Sequence, residues 1–304
     1  MPVPPRAYAT PGAFKHALED RLRAEARRNG LNPGRLRQLL IFDRLLGRLS
    51  LEFGDAVVTK GGVALELRLA RARTTRDVDV RLAGTSTHVL ERLQAAGRRE
   101  LGDFLTFLVR EQAEEPLIEG EGIIYEGRRF RAEAQLGGQR YGDPFGLDVA
   151  FGDVLTGEVE VMEGSHLLGF IGVARSRIRL YPRETHLAEK LHAYTLPRER
   201  ENTRVKDLPD MALLGLAGPL DAGLLRVALQ RTFGFRRTHA LPKTVPAPPA
   251  SWAVPYARMA RDNELPWKSL EEVTGADSTF LGTVLAGGEG IWAPDTWDWR
   301  SPTP

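Results

Sequence analysis

The sequence contains no cysteine, which excludes disulfide bonds, thiolate metal sites and cysteine nucleophiles. It also contains no apolar run near about 18 residues, so it does not indicate a membrane span. Residues 1–8 include prolines and an arginine but no apolar core of a signal peptide. We therefore expect a cytoplasmic protein with no membrane partner.

Net charge is almost balanced, at +2, so charge alone does not identify a nucleic-acid binder. Histidine is scarce, and four of the six residues are scattered without ligand spacing. With 42% hydrophobic and 27% charged residues, the 304-residue chain is typical of a globular protein. Its length suits one large domain or two moderate ones.

A strand, a glycine turn and a helix are predicted around residue 60. Residues 56–59 are apolar and β-branched, Lys60-Gly61-Gly62 forms the turn, and a helix is favoured from Val63 through Leu69 and Ala70. Glycines let the backbone approach a ligand, and a helix N-terminus favours a phosphate. A Gly-Gly pair after a strand is also a common structural turn. A triphosphate suits this position.

Two acids follow a basic connection at 71–76. Asp77-Val78-Asp79-Val80 alternates with a period of two, which indicates a strand. Both acids then point to one side, while the valines enter the core. Converging carboxylates suit Mg²⁺ or Mn²⁺ bound together with waters and substrate phosphates. An Asp-x-Asp also occurs on solvated strand edges, but the aliphatic partners favour the metal site here.

A third carboxylate lies in a later strand, after hairpin strands predicted over 123–135. Phe145 to Phe151 is apolar with one embedded acid, Asp148, on the side opposite its aliphatic neighbours. Asp148 is therefore the natural partner of the first two acids. Asp143 and Asp153 are rivals that lie beside loop residues.

A helix is predicted from Glu184 to Leu196, ended by Pro197 and a charged connection at 197–203. Lys190 lies beside its apolar stripe. This lysine can snorkel to solvent, or it can reach into a cleft and neutralise a triphosphate. The predicted buried stripe consists of Leu187, Leu191 and Tyr194.

Two further features of this region have a structural explanation as well as a functional one. His186, Glu189 and His192 are three residues apart, but this spacing drifts around a helix, and no third histidine is near enough to predict a metal site. The next helix begins at Lys206-Asp207. Acids at a helix start, here Asp207 and Asp210, commonly act as caps or dipole partners.

Taken in order, these blocks resemble the AbiEii/AbiGii toxin family of the DNA polymerase β-like nucleotidyltransferase superfamily. The resemblance spans roughly residues 34–234. One departure is Val63, where the family usually has a hydroxyl residue, so backbone N–H groups would supply that phosphate contact. The matching blocks are Lys60-Gly61-Gly62-Val63-Ala64-Leu65, Asp77-Val78-Asp79, Glu189-Lys190-Leu191-His192-Ala193 and Arg204-Val205-Lys206-Asp207-Leu208-Pro209-Asp210.

The resemblance implies an α/β (α+β) fold, with a mixed β-sheet flanked by helices and a mostly helical C-terminal part. We expect a catalytic domain over 1–180, including the N-terminal helices, and a helical C-terminal domain over 181–304. From Leu241 the sequence becomes rich in proline and tryptophan. The aromatic residues of this tail either stack on bases or pack a helical extension onto the body, and we expect packing.

The resemblance also implies a metal-dependent enzyme that transfers a nucleoside monophosphate from a nucleoside triphosphate by a two-metal mechanism. Asp148 would also activate the acceptor hydroxyl, and Asp207, more than Asp210, would orient Lys190 or the nucleotide. The implied metal ligands are Asp77, Asp79 and Asp148. The implied nucleotide-binding residues are Lys60, Gly61, Gly62, Val63 and Lys190.

In biological terms, the resemblance implies a toxin of a toxin–antitoxin system with a cognate antitoxin and an RNA acceptor, the 3′ end of tRNA. One alternative is nucleotide transfer to a small molecule or a protein, and another is a catalytically inactive binding module. A continuous basic surface leading from the cleft would favour tRNA.

Overall fold

The computed structural model describes residues 8–69, 72, 74–114, 116–117, 127–198 and 202–301. Parts of five predictions lie outside these residues. They are the N-terminal residues before Tyr8, Ala70 at the end of a predicted helix, positions 71 and 73 of the basic connection, residues 123–126 of the hairpin predicted over 123–135, and positions 199–201 of the charged connection.

Two helices precede the sheet. In the sequence each is preceded by a capping residue and begins with proline, Thr-Pro and Asn-Pro, a pattern that predicts a helix start, and both helices begin there. Helix α1 (Pro11–Asn29) is capped by Thr10, whose hydroxyl accepts a backbone hydrogen bond, and it ends at Gly30 with a φ of +66°. Helix α2 (Pro33–Phe53) is capped by Asn32 in the same way. Proline at the first helical position loses no hydrogen bond, because that N–H has no partner within the helix.

The described part of the chain then forms a mixed eight-stranded sheet. Its strands are β1 (Val57–Lys60), β2 (Val78–Leu82), β3 (Leu105–Glu111), β4 (Gly127–Leu136), β5 (Gln139–Arg140), β6 (Phe145–Phe151), β7 (Glu160–Glu163) and β8 (Arg177–Leu180). The order is β3-β4-β6-β2-β1-β8-β7, with β5 paired to β4. Strand β2 pairs antiparallel with β1 and parallel with β6, so it lies at the centre.

Two element ends differ from the prediction: the start of β2, and the end of the helix that follows the glycine turn. Asp77 lies just before β2 rather than within it. Helix α3 (Gly61–Arg68) begins at the glycine turn and ends before Leu69, which is extended. Leu69 packs against a hydrophobic cluster that is formed mainly by the C-terminal helices and is described below. This tertiary contact decides its conformation more than helix propensity does.

Helix α4 (Val89–Arg98) also differs. The sequence predicts a helix that is capped by Thr85 or Ser86 and extends through Leu101, but α4 begins after His88, whose side chain makes no capping hydrogen bond, and it ends at Arg98. Its apolar stripe still faces the core, since Val89 and Leu93 are buried.

The C-terminal part is mostly helical, as predicted, and none of the described helices is long and apolar enough to cross a membrane. Its elements are α5 (Arg183–Thr195), α6 (Asp207–Leu216), α7 (Ala222–Arg236), α8 (Ala253–Asp262), α9 (Leu270–Leu285) and the hairpin of β9 (Ile291–Ala293) with β10 (Asp298–Arg300). The predicted fold class, a mixed sheet flanked by helices, is confirmed.

The aromatic residues of the tail pack, as expected. Trp252, Tyr256 and Trp292 are almost completely buried. The indole N–H of Trp292 donates to the carbonyl oxygen of Gly215 at 2.8 Å, which satisfies its polar atom in the core. The hairpin that carries Trp292 was not predicted as a separate element.

Two hydrophobic clusters organise these elements. The first is formed by the sheet with α1, α2 and α4, and it extends to Leu180. The second is formed by the C-terminal helices and hairpin, together with Leu65 of α3. A domain boundary between residues 180 and 181 stays a prediction, with Leu65 as one contact that crosses it.

A buried ionic cluster joins α2 to the start of β3. Asp103 accepts from Arg44 Nε at 2.7 Å and from Arg48 Nη2 at 2.7 Å, and all three side chains are at most 3% exposed. Arg48 Nη2 also donates to the Leu105 carbonyl oxygen at 2.6 Å. Removing one partner from such a cluster leaves the others charged and buried.

We expect Asp103→Ala to lower the free energy of unfolding by about 3–5 kcal/mol, because two buried guanidinium groups lose their counterion. Urea unfolding at neutral pH measures the change. Asp20→Ala is the control, since Asp20 forms an exposed pair with Arg23 and its loss should change stability by less than about 1 kcal/mol. Equal unfolding midpoints for the two variants would contradict the structural role of Asp103.

Candidate active site

Two of the predicted acids lie at the start of β2. Val78 and Val80 are fully buried, and Asp79 between them is partly exposed, as the alternation predicts. Asp77 is exposed and its Oδ1 accepts a hydrogen bond from the Gly146 N–H at 3.0 Å. This bond ties the first acid to the beginning of β6.

The third acid lies beside the second. Strands β2 and β6 run parallel with Asp79 opposite Asp148. Arg129, on the next strand, places its Nε 3.7 Å from Asp148 Oδ2. Burial, followed by the negative charge of Asp79, raises the pKa of Asp148 to about 6.

The rivals of Asp148 lie elsewhere. Asp143 is exposed in the loop before β6 and does not line the cavity described below. Asp153 is buried and accepts a hydrogen bond from the Lys60 ammonium at 2.6 Å. Only Asp148 of these three candidates shares the sheet register with Asp79.

The donor set has the chemistry of a magnesium or manganese site. All three ligands are carboxylates, and burial, followed by the charge of Asp79, raises the pKa of Asp148, so a bound cation would stabilise its ionised form. Within the described residues, no group of three or more His, Cys, Asp or Glu side chains is already arranged around a common ion position. The residue types and strand register therefore fit, while the side chains would have to turn to share an ion.

The glycine turn is packed tightly against these acids. Gly61 has a φ of +64°, and a Cβ at this position would collide with the Asp79 carboxylate. A Cβ on Gly62 would lie 2.7 Å from the Thr75 side chain. Glycine is required here for both conformation and close approach. The Val63 side chain is buried, so only its backbone can face a ligand.

Lys60 is held by partners that sequence reasoning missed. Its Nζ lies 2.6 Å from Asp153 Oδ2 and 3.3 Å from Glu189 Oε2. Glu189 also accepts from the Tyr181 hydroxyl at 2.9 Å, and Arg236 lies 3.4 Å away. These partners of Lys60 are distant from it along the chain. The only indication of them in the sequence was therefore the position of Glu189 beside Lys190.

Lys190 lies on α5, whose predicted stripe of Leu187, Leu191 and Tyr194 is buried. Its Nζ donates to Asp207 Oδ1 at 2.9 Å and to Asp210 Oδ2 at 2.7 Å. Asp210, predicted as the weaker candidate, thus contacts the ammonium as directly as Asp207 does.

Asp207 also accepts from Arg204 Nε at 2.6 Å. Burial opposes the ionisation of Asp207, but Lys190 and Arg204 outweigh it and lower its pKa. The fold therefore brings together the two sequence blocks that contain Lys190 and Asp207.

The histidines of α5 do not form a metal site with Glu189. The His192 ring contacts the Thr238 hydroxyl at 2.8 Å, and Glu189 is bound to Lys60 and Tyr181. His186 is buried, and within the described residues neither ring nitrogen has a hydrogen-bond partner. Burial, followed by the charge of Lys190, lowers the pKa of His186 to about 3, so its ring is neutral.

One cavity of about 1030 Å³ contains most of these groups. Among the predicted site residues, Lys60, Gly61, Gly62, Asp77, Asp79, Asp148 and Lys190 line it. Val63 and Asp207 are not among its lining residues, although Asp207 contacts Lys190 directly behind the wall. An acidic centre therefore faces a glycine turn and a lysine across one open space.

One solved structure shares the fold of this chain, and a second is similar at a lower score. MenT4, a nucleotidyltransferase toxin from Mycobacterium tuberculosis, superposes with a TM-score of 0.50 at 18% identity, over 73% of this chain and 74% of MenT4. JHP933 from Helicobacter pylori gives a TM-score of 0.47 at 16% identity, over 82% of this chain and 92% of JHP933. No curated protein sequence matches the chain.

The sequence itself matches a family model, described as the nucleotidyl transferase AbiEii toxin of type IV toxin–antitoxin systems, over residues 44–274. The match contains the glycine turn, the three carboxylates, Lys190 and the Asp207 block, and it spans most of the chain. The resemblance read from the motifs is thereby confirmed. The chain belongs to the AbiEii family of nucleotidyltransferase toxins, enzymes of type IV toxin–antitoxin systems.

Proposed function

We propose that this toxin uses Mg²⁺ or Mn²⁺ to transfer a nucleoside monophosphate from a nucleoside triphosphate to the 3′ end of tRNA in the cytoplasm. One observation carries the proposal: the carboxylates at 77, 79 and 148 share a cavity with the glycine turn and with a largely cationic wall. The antitoxin that the family implies would counteract this activity.

The cavity wall supports a nucleic-acid acceptor. Its described lining includes nine Lys or Arg side chains and five Asp or Glu side chains. The cations beyond Lys60 and Lys190 are Arg76, Arg129, Arg198, Arg204, Lys206, Arg236 and Arg258. Such an excess suits a substrate that brings several phosphates, because affinity for nucleic acids comes largely from phosphate contacts. A small neutral acceptor would not require it.

The metal ions, when bound, would neutralise charge on the triphosphate and lower the pKa of the attacking hydroxyl. Asp77, Asp79 and Asp148 would hold them through carboxylate oxygens. The backbone N–H groups of Gly62 and Val63 at the start of α3 would bind the triphosphate.

Within the reaction, the acceptor oxygen forms a bond to the α-phosphorus, and the bond from that phosphorus to the pyrophosphate oxygen breaks. Asp148 would take the proton of the acceptor hydroxyl, a role that its raised pKa favours. Lys190, held in place by Asp207 and Asp210, would stabilise the charge that develops on pyrophosphate.

We expect the wild-type protein, given Mg²⁺, total tRNA and each α-labelled nucleoside triphosphate in turn, to label tRNA with at least one nucleotide. The double variant Asp77→Ala, Asp79→Ala should lose on the order of a hundredfold or more in rate, because the metal ligands are gone. Gel separation of labelled tRNA measures both.

Asp143→Ala is the matched control, since it removes a nearby exposed acid outside the cavity and should keep wild-type activity. Pyrophosphate release with other acceptors but no label on tRNA would disprove the tRNA proposal and favour small-molecule or protein modification. Equal activity of the double variant and wild type would disprove the assigned roles of Asp77 and Asp79.

The raised pKa of Asp148 predicts a pH-dependent stability. Ionisation of this group is less favourable in the folded state, so stability falls as the pH rises from the ordinary aspartate pKa of 3.8 to the folded pKa of about 6, and the full cost is present above it. In EDTA at pH 7.5, we expect Asp148→Asn to be more stable than wild type by roughly 1–2 kcal/mol, with the difference vanishing towards pH 4.

Thermal unfolding between pH 4 and 8 tests this expectation. Added Mg²⁺ should reduce or reverse the difference, because the ion stabilises the wild-type carboxylates and not the amide. A wild-type protein as stable as Asp148→Asn at pH 7.5 in EDTA would contradict the proposed charge repulsion.

A further inference from the structure

A helix of the C-terminal part forms one wall of the active-site cavity. Helix α8 and the residue after it contribute lining residues beside those of the sheet and α5. These residues are Val254, Pro255, Arg258, Met259, Asp262 and Asn263. Sequence reasoning had treated this region as a tail that packs on the body, without a position in the site.

The opposite face of α8 fixes the helix in place. Tyr256 is fully buried, and its hydroxyl donates to the Trp267 carbonyl oxygen at 2.9 Å. Ala260, one turn later, is also buried. At the end of the helix, Asn263 Oδ1 accepts from the Thr74 N–H at 2.7 Å, three residues before Asp77. The wall is therefore anchored both to the C-terminal core and to the segment that leads into the catalytic acids.

The face of α8 that lines the cavity is partly apolar. Val254 is 80% exposed. A single exposed valine carries no information by itself. Here, however, Pro255 and Met259 line the same cavity, and so do Ala193 and Leu196 of the α5 region. We name these five residues the apolar end of the cavity.

The apolar end includes Leu196, which directly follows the last residue of α5. Leu196 lies six residues after Lys190, which corresponds to about 9 Å at the helical rise. That separation is comparable to the distance from the phosphates to the base within one nucleotide. Apolar side chains offer nothing to phosphates, but they pack well on the faces of a base.

We propose that the apolar end of the cavity binds the base of the incoming nucleoside triphosphate. Arg258 and Asp262 line the same cavity with exposed side chains, their Nε and Oδ2 3.7 Å apart, and they would contact the polar edge of the base. Together they offer hydrogen-bond donors and an acceptor, the groups that distinguish one base from another. This inference rests on the proposed triphosphate-dependent transfer and assigns its nucleotide selectivity to α8.

The test compares affinities for the four nucleoside triphosphates and for inorganic tripolyphosphate, measured by calorimetry with Mg²⁺ and without acceptor. Val254→Asp should weaken nucleoside triphosphate binding about tenfold and leave tripolyphosphate binding unchanged, since only the base is lost as a partner. Ala257→Asp is the matched control, because it places the same charge on an exposed position of α8 that does not line the cavity.

Arg258→Ala should change the order of affinities among the four nucleotides. Arg261→Ala, an equally exposed arginine of α8 outside the cavity lining, should not. Both comparisons use exposed positions, so the variants are expected to fold, and thermal unfolding checks this.

Three results would overturn the inference: Val254→Asp and Ala257→Asp behaving alike, Val254→Asp weakening tripolyphosphate as much as nucleotides, or wild type binding nucleotides no better than tripolyphosphate. If wild type transfers no label to tRNA but Val254→Asp selectively loses nucleotide affinity, the acceptor proposal fails and the base site stands.

Discussion

The in-register parallel pairing of β2 with β6 places Asp79 beside Asp148, and much of the site follows from this like-charge contact. Burial, and then the charge of Asp79, raise the pKa of Asp148, so ionising both members of the pair costs free energy. The surrounding backbone makes room for the two carboxylates. Gly61 has no Cβ to collide with the Asp79 carboxylate, and the Gly146 N–H binds Asp77. A fold that retains repelling carboxylates at its centre gives up stability for cation binding, which is the role we propose for them.

The lysines of the site are arranged in the opposite way. Lys60 contacts Asp153 and Glu189, and Lys190 contacts two further acids. Ion pairs that are largely buried add little net stability, because desolvation offsets the attraction, but they fix the position of each charge. The cavity thus has carboxylates on the sheet and lysines whose positions are fixed by acidic partners, Lys60 at the end of β1 and Lys190 on α5. A triphosphate with its metal ions has the complementary distribution.

Some features of this site were predictable from local sequence, and others were not. The period of two in β6 predicted both the strand and the side of the sheet on which Asp148 lies, the side that lines the cavity. Alternation is a property of the strand itself, so local sequence is enough to predict it. The Thr-Pro signal fixed the start of α1 for a similarly local reason. The partners of Lys60 were not predictable, because Asp153 and Glu189 are 93 and 129 residues away and only the folded chain brings them together.

The same limit explains the errors at element ends. Leu69 has good helix propensity but lies in extended backbone where it packs on the second hydrophobic cluster. The end of α3 therefore depends on a tertiary partner that no local pattern records. Strong periodicity predicts the middle of an element, while the surrounding fold decides where it stops.

The residues of the proposed active site are distributed over both hydrophobic clusters. The carboxylates lie on the sheet of the first cluster, and Lys190 with its acids belongs to helices of the second. Leu65 of α3 packs into the second cluster although the glycine turn before it contacts Asp79. The turn that we propose binds triphosphate is therefore held from both sides. A boundary at residue 180 would describe the packing of the chain, but neither part alone contains both the three carboxylates and Lys190, so the transfer that we propose would require both parts.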